Sequence, residues 1–313
     1  MKRQQFKTTS QFSTSKHLKS GLLILALGIL GLSSCSNDEP EPTNLYLEIP
    51  DTHFEAILIE QGIDSDGALN GQMLRTDAEN VSKLDLNLNS NHGEIESLSG
   101  IEGFTNLTFL SAANQQIKSV DLSFNTQLDT LIFFNNYLTE IDLSGNSKLI
   151  WADLNFNELS SISGLSNAEN LKIIDLSYNF FEHLTIENES IETLFVMQNQ
   201  LKTIDASGAI NLKSLLLTSN QLEAVDLSSN TLLETLILSD NQIEELDLTQ
   251  NTALTYFYIS SNALNTLDVS QNTALVDLRV DRNPSLSCIK IGSEQNIATS
   301  KLSDHQQLST NCF

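Results

Sequence analysis

The residues from Leu233 to Thr252 read Leu-Glu-Thr-Leu-Ile-Leu-Ser-Asp-Asn-Gln-Ile-Glu-Glu-Leu-Asp-Leu-Thr-Gln-Asn-Thr. As a template this is L-x-x-L-x-L-x-x-N-x-L-x-x-L-D-L-S-x-N-x-x. One unit earlier it is filled by Leu212, Leu215, Leu217, Asn220 and Leu222, and one unit later by Leu254, Phe257, Ile259, Asn262 and Leu264. Ten such units run from about Lys83 to Asn283 with a period near 21, although the first is about 24 residues long, the unit from Leu149 is 22 and the unit from Leu171 is 20. A fixed period of this length is the mark of a repeat architecture.

An L-x-L tripeptide is a short strand whose alternate residues point inward, and the flanking leucines close a coil around a shared apolar interior. No unit can bury its apolar face alone. Stacked coils pair their strands into a parallel sheet about 4.8 Å apart, so ten coils predict a rod roughly 45 Å long. At the corner after each strand an Asn tolerates left-handed backbone angles and can donate to carbonyls that the turning chain leaves unpaired. Asn136, Asn157, Asn179, Asn199, Asn220, Asn241, Asn262 and Asn283 are therefore expected to stack as a structural ladder, with Gln115 replacing Asn in the second unit and Ala209 replacing the later Asn in the sixth. The pattern resembles the leucine-rich-repeat superfamily, in particular the bacterial 21-residue class with two nested L-x-L half-repeats, and covers roughly two-thirds of the chain. The resemblance implies a solenoid with parallel sheets on two sides. On the second side the outward residues Asp121, Asp142, Asp205, Asp226, Asp247 and Asp268 form a row of like charges, read as a solvated acidic face in preference to a calcium-binding row.

The first 34 residues differ in kind. Lys2, Arg3, Lys7, Lys16 and Lys19 appear without an acidic residue, followed by the apolar run from Gly21 to Leu32. About a dozen apolar residues fall short of the roughly 20 needed to span a bilayer, so residues 1–34 read as a signal peptide. Leu32-Ser33-Ser34-Cys35 resembles the lipobox of bacterial lipoproteins, which implies that Cys35 is acylated and becomes the first mature residue. Ser36-Asn37-Asp38-Glu39-Pro40 resembles the acidic tag that carries lipoproteins of the Bacteroidetes to the cell exterior, and residues 35–48 read as an acidic tether. Removing five basic residues takes the formal net charge from −24 to −29 over 279 residues. Such a surface repels nucleic acid and anionic headgroups, leaving the lipid anchor as the membrane contact.

Both ends of a solenoid need covers. In the N-terminal cap, residues 49–82, a helix is expected to open at Ile49-Pro50-Asp51-Thr52-His53-Phe54-Glu55, with Thr52 and Glu55 as a capping box, Phe54, Ile57 and Leu58 on one face, and Gly62 ending it. This segment resembles the N-terminal cap of flavobacterial leucine-rich-repeat lipoproteins. Asp64-Ser65-Asp66-Gly67 looks like the start of an EF-hand loop but has no Glu at the twelfth position, so a plain turn is expected. The C-terminal cap, residues 284–313, holds Cys288 and Cys312, which are expected to pair in an oxidising compartment and pin the tail over the open end.

Enzymatic readings find little support. His17, His53, His92, His183 and His305 are scattered, and no zinc-protease spacing, phosphate-cradling glycine loop or G-x-S-x-G elbow occurs. Neither a cofactor nor a metal is expected. The third, fifth and seventh positions of the first half-repeats are more informative: Phe109, Ile132, Phe134, Trp151, Ile173, Phe195, Met197, Leu216, Ile237, Tyr256 and Tyr258 should face solvent. Such a patch points to a partner-binding surface, bounded by Asp85, Asn87 and Asn89 at one end and by Asp277, Arg279 and Asp281 at the other. β-propensity alone could also favour these residues on a sheet. A protein partner, with adhesion as internalin-type relatives imply, is the first expectation because Ile132, Leu216 and Ile237 mix aliphatics among the aromatics. A glycan stacked on Trp151, Tyr256 and Tyr258, and a structural coat without a ligand, are the alternatives.

Overall fold

A computed structural model describes residues 45–87 and 93–312. Cys35, the segment before it, and the polar positions at Asn89 and His92 lie outside the described residues. The repeats wind into a parallel β-solenoid of about ten turns. Each turn contributes one three-residue strand to a sheet of eleven strands running from Lys83–Asp85 through Trp151–Asp153 and Tyr256–Tyr258 to Thr299–Lys301. All neighbours pair in parallel and without slippage, as in Thr193↔Ile173 and Thr193↔Ser214. The register is set by burial: the middle residues of the ten strands from Lys83–Asp85 to Asp277–Arg279 (Leu84, Leu110, Leu131, Ala152, Ile174, Leu194, Leu215, Leu236, Phe257 and Leu278) are fully buried, so a one-residue slip would turn the whole leucine column outward, while the last strand, Thr299–Lys301, is exposed throughout.

The second side is less regular than the template suggests. Its strands form three separate pieces, Glu140–Asp142 with Ser161–Ser163, His183–Thr185 with Thr203–Asp205, and a three-stranded piece ending at Gln307–Ser309. The Val-Asp-Leu-Ser row also serves the turns that follow. Asp121, Asp142, Asp205, Asp226, Asp247 and Asp268 each accept the backbone N–H of the hydroxyl residue two positions on, at 2.8–2.9 Å. Hydrogen bonds from that hydroxyl residue, by side chain and backbone, hold the carboxyls of Asp121, Asp142 and Asp205 below the usual range.

The corner asparagines form the ladder, by a mechanism that corrects one sequence-based expectation. Asn220 is typical: its Nδ2 donates to Val196 O at 2.8 Å in the preceding coil and to Leu217 O at 3.0 Å in its own, while its Oδ1 accepts Leu201 N at 3.0 Å. Gln115 does the same work in its coil, donating to Leu86 O and accepting from Ile95 N. The left-handed residue, however, is the one before the Asn: Asn135, Phe156, Tyr178, Gln198, Ser219, Asp240, Ser261 and Arg282 all have φ between 52° and 60°. The later asparagines form a second ladder, with Asn230 Nδ2 donating to Ala206 O and Ala209 O at 2.9 Å.

At the N-terminal end, helix α1 spans Thr52–Glu60. Its cap is Asp51, not Thr52: Asp51 Oδ1 accepts from His53 N and Phe54 N, and its Oδ2 accepts from Glu96 N and Ser97 N, tying the helix start to the first coil. Glu55 turns inward instead of closing a capping box and accepts the N–H groups of Asn70 and Gly71 at 2.8 and 2.7 Å. Gly62, at φ 68°, ends the helix, with Ile63 N bonded back to Leu58 O at 2.9 Å. Phe54 packs on Phe104 with ring centroids 6.3 Å apart, joining the cap to the apolar interior. At the other end Cys288 and Cys312 form a disulfide. Gln306 Nε2 donates to Val280 O and Asn283 O, taking the place of a ladder Asn at the last rung.

Candidate functional site

The strands of the eleven-stranded sheet present two outward positions each, and the register places these in rows. One row runs Phe109, Thr130, Trp151, Ile173, Thr193, Ser214, Thr235, Tyr256. The next runs Ser111, Ile132, Asp153, Asp175, Phe195, Leu216, Ile237, Tyr258. Phe134 and Met197 stand two positions beyond the second row and are half-buried. All the expected surface residues therefore share one wall, with Trp151 40% and Tyr256 44% exposed and Phe109, Ile132, Phe195, Leu216, Ile237 and Tyr258 half-buried.

The strip is not continuously apolar. Asp153 and Asp175 are direct cross-strand neighbours at its middle. They separate Ile132 and Phe134 on one side from Phe195 and Met197 on the other, with Trp151 and Ile173 next to them in the adjoining row. The spacing rule that selected the apolar residues holds these two acids as well, and choosing only hydrophobic side chains passed over them. Burial raises the carboxyl of Asp153 above its ordinary range, and the charge of Asp175 adds to the effect while the Asn155 N–H opposes it. Asn155 Nδ2 reaches both acids, at 2.6 Å to Asp153 Oδ1 and 3.4 Å to Asp175 Oδ2. No cationic side chain is among the hydrogen-bond donors to either.

A second feature missed in the sequence lies at the corner beside these acids. Phe156 and Tyr178 occupy successive left-handed positions, where bulky residues are uncommon. Their rings stack 4.0 Å apart and within 8° of parallel, and remain 49% and 43% exposed. Phe156 shares a shallow hollow with Phe134, Asn114, Asn135, Asp153 and Asn155. The only sequence signal was the change from small or polar residues at this position to two consecutive aromatics.

The C-terminal end of the wall is occupied by its own contacts. Tyr258 donates its hydroxyl to Asp277 at 2.8 Å, and the Arg279 guanidinium lies 4.2 Å from its ring centroid. Among the described residues no group of three or more His, Cys, Asp or Glu is arranged to hold a metal ion.

No protein-family model matches the chain. Human lumican is 33% identical over 145 residues, which is 36% of this chain and 43% of lumican. Among solved structures the functional domain of InlJ from Listeria monocytogenes superimposes with a TM-score of 0.67 at 23% identity, over 82% of this chain and 61% of that one. The fold is an internalin-like leucine-rich-repeat solenoid. Two further leucine-rich-repeat neighbours were solved with ligands: the plant peptide hormone receptor RGFR1 in complex with RGF2 (TM-score 0.60, 21% identity, 74% of this chain and 42% of that one) and a TLR13–ssRNA13 complex (0.59, 16%, 76% and 43%). The chain thus spans less than two-thirds of each relative's length. Leucine-rich repeats commonly serve recognition between proteins, and such proteins are typically binding modules without catalytic activity.

Proposed function

We propose that this leucine-rich-repeat chain is a recognition module, tethered by an acylated Cys35 to a bacterial outer membrane and facing the cell exterior, that binds a protein partner presenting a basic side chain. The observation that carries the reading is the paired Asp153 and Asp175, half-buried among Trp151, Ile173, Ile132, Phe134, Phe195 and Met197. Two adjacent carboxylates with no cation of their own are suited to a bidentate Arg or a Lys. Trp151 adds a face for cation–π contact, and the surrounding apolar residues exclude water as the rim of a hot spot does. A mature chain of net charge −29 steers basic partners toward itself and discourages nucleic acid. Multiple acyl chains on Cys35 give stable anchoring where one does not.

The Phe156–Tyr178 stack beside the amides of Asn114, Asn135 and Asn155 favours a second reading, a sugar docked at that corner. Pull-down of proteins with the soluble chain from Ser36 onward, alongside a glycan array, separates the two. The proposal expects a salt-sensitive protein partner lost in Asp153→Asn/Asp175→Asn. Glycan binding lost in Phe156→Ala and unaffected by the acid variants would replace it. The anchor is tested separately: Cys35→Ala should abolish palmitate labelling and release the protein from membranes.

A further inference from the structure

The N-terminal cap holds a pair of buried acids that the recognition surface does not use. Glu55 is fully buried and Asp64 is 3% exposed. Each has one oxygen that is satisfied: Glu55 Oε1 accepts from the N–H groups of Asn70, Gly71 and Gln72, and Asp64 Oδ1 accepts from Asp66 N. The other oxygen of each, Glu55 Oε2 and Asp64 Oδ2, is buried without a hydrogen-bond partner. Leaving a buried carboxylate oxygen unpaired is costly, and two such oxygens in one cap double that cost. Asp66 and Asp77 crowd the same turn, Asp77 Oδ2 accepting from Ser65 N and Asp66 taking Ala68 N and Asn70 Nδ2. Among the described residues, the donors to these four acids given above are main-chain N–H groups and the Asn70 amide.

The turn also carries part of the residue pattern of a calcium loop. Oxygen-bearing side chains stand at Asp64, Asp66 and Asn70, and the chain reverses at Gly67 with φ 63°. These match the third, fifth, ninth and sixth positions of an EF-hand loop, the sixth being the glycine. The first and twelfth positions are Gly62 and Met73, so the side-chain ligands of those places are missing. Glu55, arriving from α1, brings a carboxylate to the loop from outside it.

We infer that Glu55 Oε2 and Asp64 Oδ2 are the two anionic donors of a calcium site in the N-terminal cap. No three acidic, His or Cys side chains converge at ligating distance among the described residues, so main-chain carbonyls of the 64–70 turn and water complete the shell. Calcium, which takes six to eight oxygens in flexible geometry, fits such a set better than magnesium. With two strong donors the site belongs with the weak extracellular class, whose dissociation constants lie at about 0.1–1 mM.

The test uses the soluble chain from Ser36 onward, melted and titrated calorimetrically with calcium chloride after chelator treatment. Ten millimolar calcium should raise the melting temperature by about 3 to 5 °C and titrate as one site, with magnesium far weaker. Asp64→Asn should fold, melt as the calcium-free wild type does and lose both the heat and the rise. Asp226→Asn, in the acidic row of the second side, should keep both. A melting temperature unmoved by calcium, or a binding heat that survives in Asp64→Asn, overturns the inference.

Discussion

Replacing Asn220 with Ala removes three hydrogen bonds and fills nothing in their place. The side chain donates to Val196 O and Leu217 O and accepts from Leu201 N, and the residue is buried. Leu217 O keeps the Asn241 Nδ2 donor at 2.9 Å, but Val196 O and Leu201 N then lie unpaired in an interior that water cannot enter without opening the coil. At about 1–3 kcal/mol for each of these two buried polar groups, the loss is roughly 2–6 kcal/mol. For a chain of this size that corresponds to a fall in melting temperature on the order of 4–20 °C. Asn220→Asp, which keeps the acceptor but sets a buried carboxylate oxygen against two carbonyls, should cost at least as much as Ala at neutral pH. Thermal melts followed by circular dichroism, with amide exchange read coil by coil, measure the effect. Exchange should accelerate first in the coils containing Leu201 and Leu217, since solenoid units contact only their neighbours. A melting temperature within 2 °C of wild type would refute the assignment of the Asn columns as the main polar support of the core.

Three other perturbations have defined outcomes. Phe156→Asn relieves a left-handed aromatic, worth about 1 kcal/mol, and loses the Tyr178 stack, worth a similar amount, so stability by denaturant melts should stay within about 1 kcal/mol of wild type. Cys288→Ser/Cys312→Ser should cost about 3 kcal/mol, with exchange at Thr299–Lys301 accelerating before that of the central strands. Asp121, Asp142 and Asp205 have folded carboxyl values below their unfolded ones, so the stability they contribute is present above about pH 4 and is lost as the pH falls through the folded values. Asp153 shifts the opposite way, and its ionisation costs stability as pH rises; Asp153→Asn should melt at or above wild type at pH 7, and a clear fall would show the carboxylate to be structural.

The fold was legible because the leucine spacing does two things at once, selecting buried positions and fixing register. Phe257 and Ala152 could replace Leu in that column since only inward apolarity is required. The corner Asn was legible for its hydrogen bonding and misread for its dihedral. The left-handed residue precedes it and accepts Phe, Tyr, Gln, Ser, Asp and Arg alike, so no residue type marks it. Asp51 as helix cap was hidden because its second oxygen answers to Glu96 and Ser97, 45 and 46 residues away. At the candidate surface the wall and its members followed from position, whereas its chemistry did not. Asp153 and Asp175 look like ordinary solvent-facing acids until strand pairing sets them side by side among aromatics. Tyr258 looked available until Asp277 and Arg279 were seen to hold it.

The central claim is that binding resides on the eleven-stranded wall, at the acid pair. It is tested most directly by measuring, on one captured partner, the affinity of wild type, Asp153→Asn/Asp175→Asn, and the opposite-side variant Asp205→Asn/Asp226→Asn. Each double variant removes two negative charges, so differences in overall charge cancel. The account predicts a loss of at least about tenfold for the first pair, the worth of roughly 1.4 kcal/mol, and little change for the second. Equal losses in both, or a loss confined to Asp205 and Asp226, would contradict it.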